Sequence, residues 1–252
     1  MLRAPLRLVP SSAIVRVRSG INQGMRWIVG AGIHGCWLGY YEHEKQEVIA
    51  GLLEPGMKVF DVGANAGFYT LASARRVAPG GHVWAFEPLA DNVCALRRHV
   101  ALNGLTNVTV VQAAASDRSG VAGFLEGANR SAGRLADESA YLVPTVSLDE
   151  FCGAHRLEPP DLVKIDVEGA EHRVLEGARH MLSKGRTVVL LALHGAEQEA
   201  RCLALLRQLR YRAVYLDGSE ADDSPLRSDE LIAIPPGSRV RYAPPDMDRH
   251  GE

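Results

Sequence analysis

The stretch Val59-Phe60-Asp61-Val62-Gly63-Ala64-Asn65-Ala66-Gly67-Phe68-Tyr69-Thr70 decides the fold. An apolar run stops at an acid, two glycines follow, and a helix-like segment begins. Such a strand-to-helix turn lets a small ligand lie against bare backbone at the end of a buried strand. Outward from it, apolar runs and helical periodicity alternate. Strands are expected over 57–62, 82–86, 108–112, 161–167 and 188–194, and helices over 67–77, 91–102, 170–182 and 197–209. Two last strands, 212–216 and 231–234, are joined by a polar link over 217–230, which suits an antiparallel hairpin at the end of the sheet. Apolar strands alternating with helices imply an α/β fold with a mostly parallel sheet covered on both faces.

Before the turn, residues 1–20 read as a weakly patterned arm. Glycines and aromatics from 24 to 41 suggest short strands and turns, and a helix is expected over 42–53. These give two units: an N-terminal arm and helical or hairpin cap over 1–56, and a main domain over 57–252. An insertion over 116–160 should hold a hairpin around Ser119-Gly120 and a short helix opening at Ser147.

Bulk composition sets limits. The chain has 252 residues, enough for one sizeable domain, and a net charge of −2 gives no push toward nucleic acid or membrane. No apolar run approaches the roughly 20 residues that span a bilayer. Cys36, Cys94, Cys152 and Cys202 are far apart, so free, mostly buried thiols and a reducing cytoplasm are expected. Arg3, Arg7, Arg16, Arg18 and Arg26 precede the first acid, Glu42. Pro5 and Pro10 interrupt this basic stretch and no signal-peptide core accompanies it. A solvated or partner-facing arm is therefore expected, not a targeting segment.

Ligands of open α/β sheets bind beyond the carboxyl ends of the strands. Those ends carry Asp61, Glu87, Asp117, Asp166 with Glu168, and His194. Glu87 lies 20 residues after Gly67, the spacing of an acid that accepts hydrogen bonds from ribose hydroxyls. The alternative is an acid capping the helix after Pro88. The turn lacks the third glycine of a dinucleotide fingerprint and begins with an acid, which a diphosphate would repel. Beside an ammonium the acid is favourable, so the pattern points to S-adenosylmethionine, which has an ammonium, a sulfonium, a ribose and no phosphate.

These residues resemble the FkbM family of class I methyltransferases from about residue 24 to 234. The pieces are Trp37-Leu38-Gly39-Tyr40-Tyr41-Glu42, the turn at 61–70, Ala85-Phe86-Glu87-Pro88, Ala113-Ala114-Ala115-Ser116-Asp117, Thr145-Val146-Ser147-Leu148-Asp149 and, most specific to the family, Val163-Lys164-Ile165-Asp166-Val167-Glu168-Gly169-Ala170-Glu171. The resemblance implies a Rossmann-like fold whose seven-stranded, mostly parallel sheet has an antiparallel last strand. It also implies methylation of a hydroxyl on a sugar or secondary metabolite; from the net charge, no nucleic-acid partner is expected. In that pattern Asp61, Gly63 and Gly67 hold the methionine part of the cofactor, Glu87 the ribose, and Asp117 the adenine amino group, with Asn65 of the same turn also expected to bind cofactor. Asp117 also reads as a plain turn residue.

Glu42 is expected beside the cofactor with Trp37, Tyr40 and Tyr41, either closing the pocket or packing as core. His194 is the expected base, because an ordinary pKa near 6.5 suits proton removal at neutral pH. Asp166 would orient it, act as base itself, or hold a divalent ion with Glu168, the two facing one side of a continuing strand. His99, His155, His172 and His180 are expected at the surface. Two other readings stay open: a cofactor-binding module without activity, and a nicotinamide-dependent oxidoreductase.

Overall fold

The computed structural model describes residues 8–125, 134–135, 141–221, 228–238, 242 and 244. Arg3, Pro5 and Arg7 of the basic arm, and parts of the insertion and of the 217–230 link, lie outside the described residues.

The chain enters through a small cap. Strands β1 (Ile14–Arg16) and β2 (Arg26–Ile28) pair antiparallel, and helices α1 (His34–Leu38) and α2 (His43–Leu52) follow. Within the described part of the arm, whose sequence is weakly patterned, Val17 is buried in the same cluster as Trp27 and Trp37.

All seven expected strands of the main sheet are present: β3 (Lys58–Val62), β4 (His82–Phe86), β5 (Val108–Val111), β10 (Leu162–Ile165), β11 (Val188–Ala192), β12 (Arg212–Tyr215) and β13 (Glu230–Ile234). Their order is β12-β13-β11-β10-β3-β4-β5, parallel except that β13 runs antiparallel to both of its neighbours. From β3 the chain builds outward through β4 and β5, then returns to the other side of β3 with β10. The carboxyl ends of β3 and β10 therefore flank the point where strand order reverses, where such sheets open a crevice.

Alternate strand residues feed two cores. Val59, Leu162, Leu190 and Ile232 pack against the cap, α2 and α3 (Phe68–Val77). Phe60, Val163, Leu191 and Leu231 pack beneath α5 (Leu148–His155), α6 (Glu171–Glu176), α7 (Arg179–Ser183) and α8 (Ala196–Gln208). At the far edge α4 (Ala90–Leu102) ends before Asn103-Gly104, as its stop signal predicts.

Three local expectations change. The helix over 170–182 is broken into α6 and α7 at Gly177. The Gly177 carbonyl accepts from Asp149 N and Ser147 Oγ, and the Asp149 carboxylate accepts from the His180 and Met181 amides. A Cβ at Gly177 would lie 2.0 Å from the Ser116 oxygen, so α5 and the Ser116 turn replace a continuous helix there. The insertion forms β6 (Ala114–Ala115), β7 (Gly120–Leu125), β8 (Arg134–Leu135) and β9 (Leu142–Val146), ordered β6-β9-β7-β8. Ser119 lies in a bend and Gly120 opens β7, but β9 stands between β6 and β7, so no hairpin closes there. The short helix at Ser147 is present as α5, with Ser147 Oγ accepting from Glu150 N.

His99 is buried, not at the surface. Its Nε2 accepts from Ile28 N at 2.9 Å, so Nδ1 carries the proton and donates to Ala66 O at 2.8 Å. Burial lowers its pKa to about 4. The ring stacks on Trp27, with centroids 4.0 Å apart, and ties the cap to the glycine turn. All four cysteines are free thiols, with Cys94 exposed and the others buried. No helix among the described residues is long and apolar enough to cross a membrane.

Candidate active site

The glycine turn is held by the neighbouring strand. The amides of Gly63 and Ala64 both donate to Phe86 O at 3.0 Å. Gly63, Asn65 and Gly67 all have positive φ, at 76°, 49° and 95°. Gly63 meets the chain beyond β10 so closely that a Cβ would lie 1.8 Å from the Asp166 carbonyl oxygen. Only glycine satisfies both the dihedral and the contact. The Asn65 amide donates to Glu87 Oε2 at 2.8 Å, while Glu87 Oε1 accepts from Leu89 N and Asn92 Nδ2. Glu87 thus braces the turn and the start of α4 together. Three of about four acceptor positions on a carboxylate are filled this way. Burial, only partly offset by these donors and by Lys164, raises its pKa.

A cavity of about 230 Å³ opens over these strand ends. Gly63, Asn65, Glu87 and Asp166 line it, as do Trp27 and Tyr41 from the cap and Leu89, Ala114 and Phe124 on an apolar side. Asp61, Gly67, Glu42, Asp117 and His194 are not among its lining residues. Gly67 sits under Leu96, whose Cδ1 would be 2.3 Å from an added Cβ. Asp117 is exposed and accepts from Ser116 Oγ at 2.9 Å, so the structure does not bring it to the cavity.

Asp61 is 1% exposed, and its partner is internal. Lys164 stands opposite it in the β3–β10 register, and parallel register puts both side chains on one face. Lys164 Nζ lies 3.4 Å from Asp61 Oδ1 and 3.7 Å from Asp166 Oδ2, and donates to Gly63 O at 2.9 Å. Thr70 Oγ1 donates to Asp61 Oδ2 at 2.6 Å. The ammonium that Asp61 called for in the sequence is therefore supplied by the chain itself.

A second buried ammonium extends this group. Lys45, on α2 and 3% exposed, lies 3.0 Å from Glu42 Oε2 and 3.4 Å from Asp166 Oδ2, and pairs closely with Glu230 at the start of β13. Tyr69 Oη also donates to Glu42, at 2.8 Å. Glu42 therefore closes the network under the cavity, held in a left-handed conformation with φ 45°. Burial works against the charge on both lysines, but the surrounding carboxylates outweigh it and raise both pKa values. Asp166 shows the mirror image: burial would raise it, yet Lys164, Lys45 and His194 bring it to about 2. Burial raises Glu230 to about 7, against the pull of Lys45.

His194 lies beyond β11, which ends at Ala192, and is partly exposed. Its Nδ1 lies 2.8 Å from Glu171 Oε1, and its Nε2 faces Glu168 at 3.5 Å and Asp166 at 3.9 Å. The Glu171 hydrogen bond, opposed by burial and aided by the charges of Glu171, Glu168 and Asp166, raises His194 to about 9. The carboxylates around it thus favour its protonated form, unlike the group of ordinary pKa that the sequence suggests. Strand β10 stops at Ile165, and Glu168 has φ 56°. Asp166 and Glu168 converge on His194 through a turn and not through strand alternation. The donor atoms of Asp166, Glu168 and His194 lie within 4.8 Å of one another, a spacing a divalent ion can share.

Sequence reasoning missed Lys45, Lys164, Glu171 and Glu230. Lys164 carried a signal as a charged residue inside an apolar strand expected to be covered on both faces, and Glu171 lay in the segment most specific to the family, but Lys45 and Glu230 carried none.

The model of the methyltransferase FkbM domain matches residues 61–213. Among curated relatives, the 2-O-methyltransferase NoeI of Sinorhizobium fredii is 28% identical over a match covering 57% of this chain and 66% of that protein. The hexuronic acid methyltransferase AglP of Haloferax volcanii is also 28% identical, with 58% and 61% covered. The chain thus spans slightly less than two thirds of the length of either relative. The crystal structure of the methyltransferase FkbM from Methylobacillus flagellatus superposes with a TM-score of 0.51 at 19% identity, covering 71% of this chain and 43% of that one, which shows a shared fold.

Proposed function

This chain belongs to the FkbM methyltransferase family, and from that premise we propose that it is an S-adenosylmethionine-dependent O-methyltransferase acting on a sugar hydroxyl. The observation that carries the reading is one cavity bounded by the bare backbone of Gly63 and by Glu87 on one side and by Asp166 and Glu168 on the other. Around its charged end, six carboxyl groups (Asp61, Asp166, Glu42, Glu168, Glu171 and Glu230) face three cationic side chains, Lys45, Lys164 and His194. The excess of negative charge favours a cationic ligand. Bound there, S-adenosylmethionine would supply an electrophilic methyl group, leaving a methyl ether, S-adenosylhomocysteine and one proton.

In this reading Glu87 accepts from the ribose with its remaining capacity. Leu89, Ala114 and Phe124 cover the adenine. Asn65 orients Glu87, and Asp61 acts from beneath by fixing Lys164. His194 Nε2 takes the proton of the acceptor hydroxyl, and the negative charge of Asp166, 3.9 Å away, stabilises the imidazolium that results. A cationic ligand beside His194 disfavours its charged form and brings its pKa down toward neutrality. The name of AglP, a hexuronic acid methyltransferase, supports a sugar acceptor, and that of NoeI, a 2-O-methyltransferase, supports transfer to oxygen. Of the cap unit over 1–56, Trp27, Ile33 and Tyr41 close the cofactor side, and the domain over 57–252 carries the chemistry.

Calorimetric titration of S-adenosylmethionine tests the cofactor assignment. Glu87→Ala should weaken binding roughly tenfold or more, the worth of hydrogen bonds to a charged acceptor. Equal affinity in the variant would remove Glu87 from the site. A thermal-shift comparison with NAD and NADP, which should give no stabilisation, separates this reading from an oxidoreductase.

A further inference from the structure

We infer that Glu171 is the positioning residue of the proton-transfer step: its carboxylate fixes His194 as the Nδ1–H tautomer and turns the Nε2 lone pair toward the acceptor. The inference rests on the proposed role of His194 as base and extends it to a residue that does not touch the cavity.

The geometry is that of a side chain set to do one thing. Glu171 is 0% exposed at the first turn of α6, packed near Cys202 of α8. Its Oε1 accepts from the Gly169 amide at 2.9 Å, which pins the carboxylate from the turn that also carries Glu168. The same oxygen meets His194 Nδ1 at 2.8 Å. The carboxylate is therefore held through Oε1 in a buried setting, with Oε2 buried and without a hydrogen-bond partner among the described residues, while the imidazole it holds is partly exposed. A neutral imidazole donates from one nitrogen and accepts at the other, so a carboxylate at Nδ1 leaves Nε2 as the acceptor. Buried carboxylate, imidazole and reacting hydroxyl in line is the arrangement that orients a base and stabilises its cation once it is protonated.

The groups facing His194 among the described residues are Glu171 from α6 and Asp166 and Glu168 from the β10–α6 turn. Lys164 on β10 and Lys45 on α2 act on it through Asp166. Glu168 and Asp166 face Nε2 at 3.5 Å and 3.9 Å, beyond hydrogen-bond length, so only Glu171 selects a tautomer. Glu171 also makes His194 a stronger base than an ordinary histidine. Its loss should move the pH limb as well as the rate.

Two measurements test this. Nitrogen NMR of the full-length protein with isotope-labelled histidine should show His194 titrating near pH 9 and, above that, as the Nδ1–H tautomer. The Nε2–H tautomer would overturn the inference. This readout needs no activity, so it stands apart from any failure of the methyltransferase reading. In turnover assays, Glu171→Gln should lower kcat on the order of a hundredfold, with S-adenosylmethionine affinity kept and the rising pH limb moved down. Glu171→Asp should restore part of both. Loss of cofactor affinity together with kcat, or a pH profile that does not move, would leave Glu171 a structural residue only.

Discussion

Replacing Gly63 with alanine is expected to lower Tm by roughly 6–12 °C and to abolish measurable cofactor binding, a loss of about 100-fold or more. Two costs combine. An alanine at φ 76° carries about 1–2 kcal/mol of left-handed strain. Its methyl would also sit 1.8 Å from the Asp166 carbonyl oxygen, which is backbone and cannot swing aside. The ends of β3 and β10 must separate, and the Asp166 N to Val62 O bond of 3.1 Å goes with them. A total near 3 kcal/mol corresponds to the Tm range given for a chain of this size. Gly104→Ala is the control. Its φ of 61° is also positive, but nothing lies within 4 Å of an added Cβ, so only the strain of about 1–2 kcal/mol should appear. Wild-type Tm and affinity in Gly63→Ala would show that the turn tolerates a side chain and is not the ligand-facing backbone proposed.

Lys164→Met should destabilise the fold by about 3–5 kcal/mol, the usual consequence of leaving buried charges without their partner. Methionine keeps the volume and removes the ammonium. Asp61, 1% exposed, then keeps only Thr70 as a partner, and Gly63 O loses its 2.9 Å donor. Asp166 loses the first of the charges that hold its pKa near 2. Adding Asp61→Asn should restore part of the loss, because it removes the orphaned charge. Denaturant unfolding of the two variants reads this directly. If Lys164→Met unfolds within about 1 kcal/mol of wild type, the buried network is not what holds the strand ends together.

The framework was legible because its signals are local. Each main-sheet strand is an apolar run bounded by turn residues, the stop of α4 at Asn103-Gly104 is a two-residue signal, and Glu87 follows from a fixed spacing after Gly67. The rest depends on residues distant in the chain. Lys45 meets Asp166 across 121 positions and His99 meets Ile28 across 71. A histidine on a helix reads as surface until two backbone groups are found to satisfy both of its nitrogens. Glu171 was visible as part of the family's most specific segment, but nothing in that segment says which histidine it holds. The break at Gly177 was hidden for the same reason: Ser147 and Asp149, which claim the neighbouring backbone, lie some thirty positions earlier. The leading acid of the glycine turn pointed to a cationic ligand. The structure places Lys164 against it, so the demand for a cation passes to the whole carboxylate group around Asp166.

Methyl transfer from isotopically labelled S-adenosylmethionine to a panel of neutral, amino and uronic sugars, with products located by mass spectrometry, tests the central claim most directly. Label should appear on a sugar hydroxyl, accompanied by S-adenosylhomocysteine, and His194→Ala should lose on the order of a hundredfold in turnover while binding the cofactor as wild type does. Saturating cofactor binding with no transfer to any acceptor, or label found on an amine or a carboxylate, would contradict it.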